Sequence, residues 1–380
     1  MRIASYNVEN LFNRAKIFDQ RTWALGRPVL EAFQRIGDLL EEPVYTPEIQ
    51  HDILRELARL GLRNGDTAKF ARLRQNRGRL VVRRRDGRVE VVAGGRDDWI
   101  GWVELTTDRV EELSLVNTAR VILDVRADIL AVIEAESRLA LRRFAEGGLR
   151  GLYEHIMVVD GNDERGIDVG VMSTVDFPLT GQRTHVDDVD ERGRVFSRDC
   201  PEYHFRTPAG DDLVVLVNHL KSKGYGGKAA SDATRRRQAA RVAEIYRQQR
   251  TPLVAVVGDL NDTPESEPLA PLLRDTDLRD ISTHPAFEDA GRPGTYGSCT
   301  ARNKLDYVLL SPKLFAAATG GGILRKGVWG GRRGVLWPIY DTMTKPVHAG
   351  SDHAAIYADI DVTRLGDQQT VKTEETSVAE

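Results

Sequence analysis

A mixed α/β fold is predicted for this 380-residue chain by three features of its sequence. Short apolar, β-branched runs recur along it. Amphipathic stretches of helical period separate some of these runs, and loops too short to hold a crossover helix join others. Short loops require antiparallel neighbours, whereas helical connections allow parallel ones, so the sheet is expected to be mixed rather than purely parallel.

Residues 3–8 open the chain as a strand within MRIASYNVENLF. Residues 14 to about 105 then intervene, much of them charged and helical, and read as an insertion. Inside it, RLVVRRRDGRVEVV sets two β-prone runs around Asp86-Gly87, a strong hairpin signal. Residues 108–125 repeat apolar side chains every three or four positions and predict the first long helix. Strands follow at 129–133, 155–159, 167–172, 195–205 and 213–217. The stretch SDATRRRQAARVAEIYRQQ, from Ser231, is a second helix. Strands at 253–257, 305–310 and 354–360 complete the set. Residues 320–346, rich in glycine and carrying Trp329 and Trp337, lie between two strands and read as a second insertion. From 363 to 380 the chain is polar without apolar spacing, which predicts a disordered tail. A single domain over 1–362 with these two insertions accounts for the length.

Composition excludes several classes. The net charge of −3 gives no global field toward nucleic acid or anionic membrane, so any such attraction must be local. Cys200 and Cys299 are the only cysteines, too few for a disulfide framework or a cysteine-rich metal site. The first apolar run is too short for a signal peptide, and none approaches the roughly 20 residues of a membrane span. A cytoplasmic enzyme or binding protein is expected, and no protein partner can be inferred.

The strand ends carry the chemistry. RIASYN ends at Asn7 with Glu9 just beyond, ADILAVIE at Glu134, LVVLVNH at Asn218 and His219, and PLVAVVGDLN at Asp259 and Asn261. KLDYVLLS contributes Asp306, and GSDH contributes Asp352 and His353. Groups at the strand ends of one sheet can converge in a single crevice. Carboxylates, amides and two histidines without a thiol suit a hard cation, Mg²⁺ or in its place Mn²⁺, better than zinc or copper. Neither a G-x-S-x-G elbow nor a Walker loop is present.

In order along the chain, SYNVENLF, ADILAVIEAES, RGIDVGVMS, VNHLKSK, VVGDLND, KLDYVLLS and GSDH resemble the endonuclease/exonuclease/phosphatase superfamily, nearest to its bacterial nuclease-like members. That superfamily includes pancreatic-type deoxyribonucleases, inositol-polyphosphate 5-phosphatases and bacterial sphingomyelinases. The resemblance implies a DNase-I-like α/β (α+β) fold, a four-layer sandwich of two stacked mixed β-sheets flanked by helices, with the active site at one edge. It also implies a Mg²⁺-dependent phosphodiester hydrolase.

Chemistry and resemblance together assign roles. Glu134 is the principal metal ligand, helped by Asn7 and, through water, by Glu9; Asp352 binds a second cation or orients the first. Asp259 orients and deprotonates the attacking water, and Asn261 fixes that carboxylate or bonds the phosphate. Asp306 fixes the His353 tautomer and raises its pKa, so an imidazolium faces the transition state. His219 supplies a second donor beside Asn218. Asp168 either orients His219 or is an exposed acid. Lys221 and Lys223 either touch substrate phosphates or are solvated.

The reaction class is firmer than the substrate. Arg72, Arg74, Arg77, Arg79, Arg83, Arg84, Arg85 and Arg88 crowd the first insertion, and Arg235, Arg236 and Arg237 start a helix. These runs could meet nucleic-acid phosphates or be solvated surface, and Trp329 and Trp337 could stack on bases or be packing residues. A DNA or RNA nuclease is the leading reading, with a phosphatase or lipid phosphodiesterase of the same fold as the alternative. A non-catalytic phosphate-binding scaffold is more remote, because a binder has no need of both Asp259 and the His353–Asp306 pair.

Overall fold

The computed structural model describes residues 1–19, 23–163, 165–223 and 227–365. Its two large sheets use thirteen strands: β1 (Arg2–Asn7), β2 (Ile129–Ala135), β3 (His155–Val159), β4 (Asp168–Ser173), β5 (Leu179–Arg183), β6 (Glu202–Arg206), β7 (Asp212–His219), β8 (Val254–Asp259), β9 (Arg279–Asp280), β10 (Phe287–Glu288), β11 (Asp306–Leu310), β12 (Ala318–Leu324) and β13 (Ala355–Ile360). The seven-stranded sheet runs β10-β12-β13-β1-β2-β4-β3, and the six-stranded sheet runs β5-β6-β7-β8-β11-β9. Both are mixed: β1 is parallel to β2 and β7 to β8, while β8 and β11 are antiparallel.

Strand alternation makes the layers. Ile3, Ile129, Ala131 and Ile133 of one sheet face Val215, Val217, Val257 and Val308 of the other in a shared core. The intervening residues face outward. Ala4, Tyr6, Leu130 and Val132 pack on helices α3 (Glu112–Val125) and α4 (Arg138–Gly148), and Leu216, Val254 and Val256 pack on α5 (Lys228–Arg247). The result is the four-layer α/β/β/α sandwich. No helix among the described residues is long and apolar enough to cross a membrane.

Three expectations are corrected. Of the strand expected at 195–205, only Glu202–Arg206 pairs in the sheet. Before it, Asp199 Oδ1 accepts the N–H groups of His185 and Cys200, so side-chain bonding replaces a ladder there. Residues 320–324, assigned to the second insertion, belong to β12 in the seven-stranded sheet. The run ATGGGIL hides this strand because a Cβ at Gly321 would collide with the Tyr357 carbonyl oxygen of β13. The helix expected from 108 starts at Glu112, because Thr107–Arg109 pairs with Asn13–Ala15. The tail begins with a 3-10 turn, Val362–Leu365, and residues 366–380 lie outside the described residues.

Between Asn13–Ala15 and Thr107–Arg109 the chain builds a lobe with its own core. Helices α1 (Trp23–Leu40) and α2 (Pro47–Arg59) place Ile36, Leu40, Ile53 and Leu57 against Leu73 and Val103 of the paired strands Ala71–Arg77 and Ile100–Leu105. The Asp86-Gly87 signal corresponds to a hairpin in which Val81–Arg83 pairs with Val89–Val91 and Gly87 takes φ +82.

Candidate active site

Alternation decides which strand-end groups meet. Asn7, His219, Asp259 and Asp306 share the parity of the residues facing the core between the sheets, so all four emerge at one edge of it. They are buried, with Asp306 at 0% and Asp259 at 2% exposure. Asn7 Nδ2 lies 3.4 Å from Asp259 Oδ2. His219 Nε2 is 3.7 Å from both Asp259 and Glu134. His353 Nδ1 is 2.8 Å from Asp306 Oδ2, and its Nε2 is 3.9 Å from Asp259 and from Asp352.

Glu134 reaches the site through a defect. The β2–β4 ladder pairs Asp168 with Ala135 and Val169 with Ile133, so Glu134 is the extra residue of a bulge, at φ +67. A bulge re-aims one side chain at a backbone cost. Glu9 (φ +51) and Asn261 (φ +55) also occupy the left-handed region at strand ends of this edge. Their contacts hold them there. Glu9 N–H donates to Asn7 Oδ1 at 3.0 Å, and Glu9 Oε2 accepts from Asp352 N–H at 3.1 Å. Asn261 N–H donates to Asp259 Oδ1 at 2.8 Å, and its side-chain amide donates to the Leu220 carbonyl at 3.1 Å.

Electrostatics divide the groups. Burial and the neighbouring Asp306 push Asp259 up to about 7. Burial and Asp352 raise Glu134. Burial opposes charge on His353, but Asp306, Asp259 and Asp352 outweigh it and raise its pKa well above the usual value. His219 moves the opposite way, through burial and the cations Arg198 and Arg165, and is held neutral. The two imidazoles thus shift in opposite directions, His353 toward its charged form and His219 toward its neutral form.

Five expected groups fall elsewhere. Asn218 has the opposite strand parity to His219: it is buried on the α5 side and donates to the Leu216 carbonyl at 3.2 Å. Lys223 pairs with Asp262. Asp168 accepts from Gly161 N–H at 2.7 Å, while His219 Nδ1 has no hydrogen-bond partner among the described residues, so Asp168 does not orient it. The helix-start arginines are spent on ion pairs: Arg235 is fully buried between Asp232 and Asp262, Arg236 pairs with Glu267 and Arg237 with Asp190. Trp337 donates to the Val328 carbonyl at 3.0 Å and Trp329 packs against the α3 layer, so both are packing residues. Lys221 stays near the site, its pKa pushed down to about 8 by burial and by Arg198 and Arg165.

Three residues escaped sequence reasoning. Arg165 and Arg198 both bind Asp163, at 2.6 and 3.0 Å, and their charges act on His219 and Glu134. Tyr296 lays its ring 4.9 Å from that of His353. The arginine in RGID was the available signal for the first; nothing in FSRDC or GTYGS marks the others from ordinary loop residues.

Asp259, Asp306 and His353 offer ligand atoms within 4.8 Å of one another, a group able to hold a metal ion. Within it, His353 Nδ1 is hydrogen-bonded to Asp306, whose charge raises the His353 pKa. Glu134, Glu9 and Asp352 bring further carboxylates to this edge, 3.7 Å from His219, 3.1 Å from the Asp352 N–H and 3.9 Å from His353 respectively, and carboxylate oxygen is the donor type a hard divalent cation takes.

A family model described as the endonuclease/exonuclease/phosphatase family matches residues 111–353. No curated protein matches the chain. Among solved structures, an endonuclease/exonuclease/phosphatase family protein from Bacteroides thetaiotaomicron is similar at 17% identity over 64% of this chain and 87% of its own, with a TM-score of 0.49. The human Nocturnin catalytic domain with bound sulfate is similar at 15% identity over 66% and 87%, with a TM-score of 0.49. Sphingomyelinase C from Streptomyces griseocarneus is similar at 18% identity over 65% and 92%, with a TM-score of 0.45.

Proposed function

Because the chain belongs to the endonuclease/exonuclease/phosphatase family, whose members act on phosphoester bonds, we propose that it is a Mg²⁺-dependent phosphodiesterase that cleaves nucleic acid by in-line attack of water. The observation that carries this reading is the placement of the buried Asp259 carboxylate 3.7 Å from His219 and 3.9 Å from His353, with Asn7 3.4 Å away.

Glu134, Asn7, Glu9 and Asp352 would hold the cation, which supplies Lewis-acid neutralisation of the phosphate charge. Asp259 holds the attacking water and takes its proton; a carboxylate near neutral pKa suits that task. The Asn261 N–H keeps Asp259 in one rotamer. The water oxygen bonds to phosphorus as the ester oxygen leaves. His353, charged and fixed by Asp306, faces the charge that builds on the phosphoryl oxygens, and neutral His219 donates a second hydrogen bond. Lys221 adds positive charge near the site. The arginine-rich lobe, rooted just past Asn7, supports a polyanionic substrate.

The test is cleavage of labelled single-stranded DNA, duplex DNA and RNA with Mg²⁺ or Mn²⁺, using Asp259→Ala as the blank. Cleavage lost with EDTA and in the variant supports the nuclease reading. Turnover confined to phosphomonoesters or lipid headgroups overturns it in favour of the phosphatase or lipid alternative.

A further inference from the structure

We propose that the solvent-facing side of the lobe's sheet is a docking surface for single-stranded nucleic acid, with Trp102 stacking on a base and Arg72 and Arg74 meeting phosphates. The proposal rests on the nuclease reading and adds a binding surface outside the catalytic edge.

Alternation again sorts the side chains. Ala71, Leu73 and Val103 point into the lobe core, so the opposite face carries Arg72, Arg74, Trp102 and Glu104. The ladder places Arg72 opposite Glu104, Arg74 opposite Trp102 and Arg77 opposite Ile100. Glu104 organises the group. Its Oε1 takes Arg74 at 2.8 Å and Arg72 at 3.9 Å, and its Oε2 accepts from the Trp102 indole N–H at 3.3 Å. Two guanidinium groups share one carboxylate, which leaves surplus positive charge beside an indole that is 43% exposed. Pre-ordered cations beside an aromatic ring are what single-strand binders use.

Charge is segregated across the lobe. From Trp23 to Leu62, the helical layer, seven acidic residues outnumber four basic ones; from Arg63 to Leu105, the strand layer, eleven basic residues outnumber six acidic. The hairpin tip is not the site, because Arg83 pairs with Asp66, Arg84 with Glu90 and Arg88 with Asp86. The lobe also rises from the catalytic rim. Its stalk begins at Asn13, six residues past Asn7, and the preceding Phe12 N–H donates to Glu136, two residues past Glu134.

A stacking indole needs an unpaired base, which favours a single strand over a duplex. A lipid surface would require a contiguous apolar wedge, whereas Trp102 and Ile100 each sit across the ladder from an arginine.

The experiment uses the full chain with Asp259→Ala, so that the polymer stays intact, and fluorescence polarisation of a labelled oligothymidylate. Trp102→Ala should weaken binding about tenfold, and Trp102→Phe should restore most of it. Arg72→Ala with Arg74→Ala should flatten the dependence of log affinity on log salt by about 0.7 per lost phosphate contact. Unchanged affinity and salt slope in these variants would overturn the proposal, as would equal loss of duplex binding. Loss of binding to phosphatidylglycerol vesicles in place of the oligonucleotide would also overturn it. The catalytic reading is checked separately on bis(p-nitrophenyl) phosphate, which the unmodified chain should hydrolyse in a metal-dependent way and the Asp259→Ala chain should not. Absence of that hydrolysis in the unmodified chain would sink the catalytic reading and leave the binding result standing on its own.

Discussion

His353 Nδ1 lies 2.8 Å from the fully buried Oδ2 side of Asp306, a residue with 0% exposure one strand away from Asp259. Replacing His353 with Ala should reduce turnover about 10²-fold or more. Asp306→Asn keeps the shape but removes the charge that raises His353. In the proposed mechanism His353 faces the transition state protonated, so activity should be lost as pH rises through its pKa. The alkaline limb of the pH–rate profile should therefore move to lower pH in Asp306→Asn, and an unmoved limb would remove His353 from that role.

Metal-free protein should lose stability between mildly acidic and mildly alkaline pH. Asp259 is raised from 3.8 to about 7, so its neutral form is favoured by folding. That contribution is fully present below the unfolded value and is lost as pH rises through 7, on the order of a few kcal/mol. Thermal melts with EDTA should fall from pH 5 to pH 8, melts with saturating Mg²⁺ should not, and Asp259→Asn should flatten the EDTA series.

Glu134→Gln should weaken Mn²⁺ binding about tenfold or more while leaving the fold intact, since the change keeps the side chain's shape at a bulge of the sheet. Isothermal titration with Mn²⁺ measures this directly. Unchanged affinity would exclude Glu134 from the metal set.

Arg235 is a positioning residue rather than a phosphate contact. Its Nη1 donates to the Lys221 carbonyl at 2.6 Å and its Nε to Asp262 Oδ2 at 3.0 Å, tying the loop after His219 to the loop after Asp259. Arg235→Lys should lower kcat about tenfold with KM nearly unchanged, and should destabilise the chain by about 3 kcal/mol. An equal rise in KM would point instead to substrate contact.

Lys223→Ala should change KM less than about twofold, because an ammonium paired with Asp262 offers little to a substrate phosphate. A large rise in KM would show that the pair opens on binding.

The sequence by itself determined the strands that carry the site and the residue types at their ends. An apolar run that stops at a carboxylate, as VVGD does at Asp259, is a local pattern, and local patterns survive in one dimension. Its order of motifs also determined the fold family. It could not show which neighbours share a face. Asn218 and His219 are adjacent in sequence yet point to opposite sides of one strand, so only His219 reaches Asp259. The same limit applied to charge. Arg235 and Arg83 look like surface cations in a basic run, but each is bound in an ion pair within the fold. Gly321 and Gly322 masked β12 because the need for them comes from Tyr357 of a strand more than thirty residues away. Parity, pairing and close approach depend on partners distant in the chain, and only the folded arrangement brings those partners together.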